Sequence, residues 1–182
     1  KTVSGAKFPI SLQPGKDGSW QTVMPFAWSN GAELASDQAY TLDTPQMAEA
    51  WSYYQSFFTD GLANKAPAEG ATEADFASGR VPMFISGPWM MSAVEKTGGS
   101  GFADKYDVFP IPAKQSSSSF IGGSNLVVFK NTKVRDAAWK LADWLTQPDV
   151  QVKWYGISTD LPAVQSAWQN PKLTADAKLA KF

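Results

Sequence analysis

Fourteen glycines and twelve prolines cut this chain into short elements. Each break has a defined physical cause. Pro45 suits the first turn of a helix because its missing N–H would be unbonded there anyway, and Gly61 ends the same segment. Gly79 closes a short helix over about 72–78, capped by Thr72 and with Phe76 inward, and Arg80 leads into a strand over 81–86. Gly87-Pro88 closes that strand and opens a helix over about 88–95. Pro148 starts another helix that Gly156 stops, and Pro162 starts a short helix near the end. No apolar run approaches the ~18 residues that a membrane span requires.

Within these segments the apolar spacing sorts helix from strand. Met47, Ala50, Trp51, Tyr54 and Phe58 recur at helical spacing, with Asp43 or Thr44 placed to cap them. Residues 133–146 carry Val134, Ala138, Leu141, Trp144 and Leu145 on one side. Trp20 to Trp28 is compatible with a buried helix that Asn30-Gly31 would end. Strands are expected at 7–10, at 81–86, at "YDVFPIP" and, buried, at "LVVF" (126–129). The stretch "ELASDQAYTLD" reads as an exposed loop or a weak hairpin. Helices alternating with short strands give an α/β or α+β class, of which the α/β class is the one expected.

Composition removes several functions. There are no cysteines and no histidines, so a Ser-His-Asp triad, thiolate chemistry and His-ligated zinc are ruled out within these residues. The net charge of −1 offers no basic excess for nucleic acid. Acidic residues lack calcium-loop spacing, so no metal site is expected. No cofactor is implied, because neither GxxxxGK[ST] nor GxGxxG occurs. Asp17, Glu33, Asp37, Asp107 and Asp160 stand in loops or at element ends, and nothing pairs any two of them as a glycosidase needs. No catalytic residue is expected.

One bias calls for an explanation: eight Trp, eleven Phe and five Tyr, 13% of the chain. Trp51, Tyr54, Phe58, Trp139, Trp144 and Trp154 sit on helical stripes, where core packing explains them. Three others do not. Trp20 follows the turn "GKDGS", Trp89 follows "SGP", and Phe120 precedes "IGG". Loop aromatics either plug the ends of a core or present a flat face to a ligand, and aromatic faces suit the apolar C–H faces of sugars. Gly122-Gly123 reads either as a flexible connection or as backbone left bare for close approach, with Ser124 and Asn125 adding polar groups.

In order along the chain stand "PFAWSNGAEL", "FASGRVPMFISGPWMM", "YDVFPIPA", "FIGGSNLVVFKNTK", "AAWKLADWL" and "LPAVQSAW". Together they resemble the sugar-binding extracellular solute-binding proteins of ABC importers, of the maltose-binding-protein type. That resemblance implies a two-lobe periplasmic-binding-protein-like fold with sugar held in an interlobe cleft. It implies a non-catalytic binding protein whose partners are a saccharide and the ABC permease subunits, located outside the cytoplasm of a bacterium, in the periplasm or on the cell surface.

By that resemblance Trp89 matches the family tryptophan that stacks on a sugar ring. Trp20 and Asp17 lie in a ligand-contacting loop, and Gly122 and Gly123 lie near the hinge close to the cleft. After Leu161-Pro162, where such proteins often carry a basic residue, this chain has Val164 and Gln165. Family members run about twice this length, so the chain reads as an internal fragment. Residues 1–122 would be part of the second lobe, 123–126 the hinge crossover, and 127–182 part of the first lobe, its end open to a return to the second. Strand edges left without neighbours would favour oligomerisation or domain swapping. A stand-alone carbohydrate-binding module and a glycoside hydrolase are the alternative readings.

Overall fold

Thr44 opens the longest helix. Its hydroxyl accepts the Met47 N–H at 3.2 Å, Pro45 fills the first position, and α2 runs Pro45–Thr59. Of the two caps the sequence offered, Asp43 and Thr44, the structure uses Thr44, whose extended backbone places its oxygen over an otherwise unbonded N–H. The computed structural model describes residues 5–15, 18–37 and 39–182. The other helices are α1 (Trp20–Ser29), α3 (Thr72–Ala77), α4 (Trp89–Gly98), α5 (Arg135–Leu145), α6 (Pro148–Ser158) and α7 (Pro171–Thr174). Short 3-10 turns occupy Phe102–Lys105, Gln165–Gln169 and Leu179–Lys181.

The chain divides into two compact units. The first comprises residues 1–86 and 93–120, the second residues 87–92 and 121–182. The first turn of α4 therefore belongs to the second unit and the rest to the first.

In the first unit α1 packs on α2. Val23, Met24 and Ala27 of α1 meet Met47, Ala50, Tyr54 and Phe58 of α2, with Leu12, Ala32 and Ala63 closing the cluster. Phe26 joins Tyr53, Tyr54 and Phe57 through ring contacts at 5.4–5.9 Å. A second aromatic group forms around Phe76, whose ring meets those of Phe84, Phe102 and Tyr106. Phe76 is thus inward, as its place in the short helix predicts.

The second unit has its own smaller core. Val152 of α6 packs with Ala167, Leu173 and Leu179, and Met91, Tyr155, Leu161 and Trp168 lie against them. The Trp168 indole donates to the Pro162 carbonyl at 3.0 Å, satisfying a half-buried donor.

The expected strands do not form. Among the described residues the only ladder contacts are two isolated bridges, Ser11 with Phe84 (parallel) and Ala35 with Tyr40 (antiparallel). Residues 7–11 do run beside 80–84, with Lys7 N–H on the Arg80 carbonyl and Ser11 N–H on the Met83 carbonyl, both at 2.8 Å. The Ala35–Tyr40 bridge is the weak hairpin. "LVVF" is not buried: Leu126, Val127 and Phe129 are exposed, Phe129 at 78%. The segment makes no ladder contact, since a strand becomes one only beside a neighbour that shares its N–H and C=O groups.

A similar correction applies to the helical aromatics. Tyr54 and Phe58 are buried as expected, whereas Trp51, Trp139, Trp144 and Trp154 are each about half exposed. Helix α5 keeps its apolar stripe yet buries no residue fully. Amphipathic spacing specifies a face; only a packed neighbour removes that face from water. Helix α6 also runs past Gly156 and ends at Ser158, with Thr159 rather than a glycine in the left-handed region at φ 60°.

Candidate functional site

Trp89 is the first residue of α4 and is 49% exposed. Gly87 and Pro88 form the turn that launches the helix, their carbonyls accepting the Met90 and Met91 N–H groups at 3.1 Å. Its indole folds back over Gly87. A Cβ placed on Gly87 would overlap Cζ3, Cη2 and Cε3 of the six-membered ring. Glycine lets the ring take this position because the indole occupies the space a side chain would need, not because of a positive φ.

Beside it stands Thr159, a β-branched residue in the left-handed region, a conformation uncommon outside glycine and asparagine. Its hydroxyl lies 2.7 Å from the Ser158 carbonyl and 3.5 Å from the Trp89 carbonyl. No feature of the sequence signalled this outlier.

Trp20 opens α1 and is 48% exposed. Its ring meets Phe120 perpendicularly, with centroids 4.8 Å apart and an interplanar angle of 89°. Two of the three aromatics that lie outside the helical stripes are therefore partners, which sequence spacing does not reveal across a hundred residues. The loop before Trp20 is pinned by Tyr54. Its hydroxyl donates to the Gln13 carbonyl at 2.8 Å and lies 2.9 Å from the Thr22 hydroxyl, which itself donates to Ser19 O at 2.9 Å. Burial pushes the Tyr54 phenol above the usual tyrosine range, while its bonds with Thr22 and Gln13 pull the other way.

Asp17 lies outside the described residues. Gly122 and Gly123 are both exposed. A Cβ at Gly123 would meet nothing within 4 Å, and its φ is not positive. Neither packing nor backbone conformation within the chain demands glycine at 123. Among the described residues no group of three or more acidic, histidine or cysteine side chains could hold a metal ion, and no helix is long and apolar enough to cross a membrane.

Comparison with known proteins places this geometry. The family profile for bacterial extracellular solute-binding protein matches residues 4–181. The chain is similar to the sugar-binding protein MalE of Xanthomonas citri, with a TM-score of 0.81 and 26% identity over 99% of this chain and 46% of that one. It is equally similar to an ABC transporter solute-binding protein of Thermotoga lettingae bound with α-D-tagatose, with a TM-score of 0.81 and 26% identity over 97% of this chain and 47% of that one. The chain spans about half the length of the curated relatives it matches: 45% of a Brucella abortus protein that is 29% identical over 189 residues. These TM-scores assign the fold to the periplasmic sugar-binding class even though only isolated bridges form among the described residues. With the profile spanning nearly the whole sequence, the chain belongs to the family of bacterial extracellular solute-binding proteins.

Proposed function

We propose that this chain carries part of the saccharide-binding site of an ABC importer's solute-binding protein, and that it captures sugar without chemical conversion. The observation that carries this reading is the half-exposed indole of Trp89, set at the head of α4 with its inner side over Gly87. A flat apolar ring held in one orientation suits the C–H face of a pyranose. Such a platform contributes about 1–3 kcal/mol through area burial and contact. Polar groups then set specificity, since a sugar hydroxyl or its partner left unpaired costs about 1–3 kcal/mol.

Trp20 is the second platform in this reading. Asp17 supplies a polar contact from the loop before it, and the bare backbone of Gly122-Gly123 admits close approach of a ligand. Residues 1–122 derive from the second lobe, 123–126 from the hinge and 127–182 from the first lobe. The partners are the permease subunits, and the location is outside the bacterial cytoplasm. Relatives of about twice this length match the chain, which supports weak, millimolar affinity for these residues alone.

NMR of the indole N–H signals tests the reading at such affinities. The Trp89 signal, assigned with Trp89→Phe, is expected to move on addition of maltose or trehalose. The Trp89→Ala variant is expected to keep its melting temperature while the other indole signals lose their response. An unmoved Trp89 signal at saturating concentrations of both sugars would sink the proposal.

A further inference from the structure

The segment from Lys114 to Phe120, rich in serine and easily taken for a linker, is strapped to α1. Gln115 and Ser116 N–H groups reach the Ser29 carbonyl at 2.8 and 3.4 Å, and Ser118 N–H reaches the Ser29 hydroxyl at 3.2 Å. The Gln115 amide donates to the Asn30 carbonyl at 2.9 Å. These bonds satisfy carbonyls at the helix end that have no partner within the helix. The Gln115 carboxamide sits where a Cβ on Gly31 would stand, and Gly31 is in the left-handed region at φ +82°. The Asn30-Gly31 pair therefore does two things: it ends α1 and makes room for the strap.

Two residues beyond Ser118, Phe120 makes its perpendicular contact with Trp20. Trp20 and Ser29 stand at opposite ends of α1, about 14 Å apart along its axis at 1.5 Å per residue. The strap is thus tied at one end of the helix and delivers an aromatic ring to the other. We infer that residues 114–120 position Trp20: Phe120 sets the tilt of the indole, and Gln115 sets the place of Phe120. Both are positioning residues, and neither needs to touch a ligand. That the positioned ring serves a saccharide rests on the function proposed above; the coupling between Gln115 and Trp20 does not.

The test is 19F NMR of the chain labelled with 5-fluorotryptophan, with Trp20 assigned by Trp20→Phe. One narrow Trp20 line is expected. Phe120→Leu and Gln115→Ala should each shift or broaden it while the Trp89 and Trp154 lines stay in place, a pattern that general loosening would not produce. Should Phe120→Leu fail to fold, Gln115→Glu keeps the side-chain shape and removes the amide donor, and it is expected to move the same line. A Trp20 line unchanged in the Gln115 variants overturns the inference. Maltose added to the wild-type chain separates the two ideas. If the Trp20 line answers to Gln115 but no line answers to maltose, the strap stands and the saccharide reading falls.

Discussion

The indole of Trp89 lies over Gly87, two residues before it, in the space a Cβ would fill. Gly87→Ala should therefore turn the ring rather than unfold the chain, because the colliding atoms are the outer end of a side chain that is half exposed. The expected result is a melting temperature close to wild type with a changed tryptophan near-UV circular dichroism and altered acrylamide quenching. If sugar binding uses this ring, affinity should fall about tenfold, the equivalent of ~1.4 kcal/mol. Unchanged spectra would mean that the ring does not depend on Gly87.

Tyr54 ties helix α2 to the loop that precedes Trp20. Tyr54→Phe keeps the packing with Phe26 and Phe58 and removes only the hydroxyl. A loss of about 0.5–1.5 kcal/mol is expected from denaturant unfolding. Faster hydrogen exchange is expected at Thr22 and Val23, whose N–H groups both bond to the Ser19 carbonyl. A loss near zero would show that water replaces the bond to Gln13.

Lys114 and Glu49 bring a pH dependence. The Lys114 ammonium, 2.7 Å from the carboxylate, and then the Asn30 amide hold Glu49 below the usual glutamate range. A carboxyl whose folded pKa is depressed stabilises the fold fully above its unfolded pKa, about 4.3, and loses that contribution as pH falls through the folded value. The melting temperature of wild type should exceed that of Glu49→Gln by a small margin at pH 7, and the gap should close as pH drops below about 4.3. Both side chains are solvent-exposed, so high salt should also shrink the gap. A gap that widens in acid would refute the assignment.

The unpaired "LVVF" segment and the open face of α5 should make the chain self-associate. Val127 is 71% exposed, and its neighbours Leu126 and Phe129 are exposed as well. Light scattering at micromolar concentration is expected to report oligomers, and Val127→Lys should shift them toward monomer by placing a charge on the exposed apolar run. A monodisperse wild-type monomer would contradict this expectation.

Local chemistry fixed by neighbours in sequence was readable from the residues alone. Thr44-Pro45 opens α2, Asn30-Gly31 closes α1, and the Gly87-Pro88 turn precedes Trp89, because caps and turns depend on side chains within a few positions. The ordered motifs around "SGPWMM" pointed to the family for the same reason. Tertiary structure alone decided which apolar faces are covered. The stripe of α5 and the run at 126–129 stay largely exposed, whereas the stripe of α2 is buried against α1. Spacing along the chain also could not pair Trp20 with Phe120, or set the Gln115 amide against Gly31. Those contacts join residues far apart in sequence, and they exist only because the backbone between them folds back.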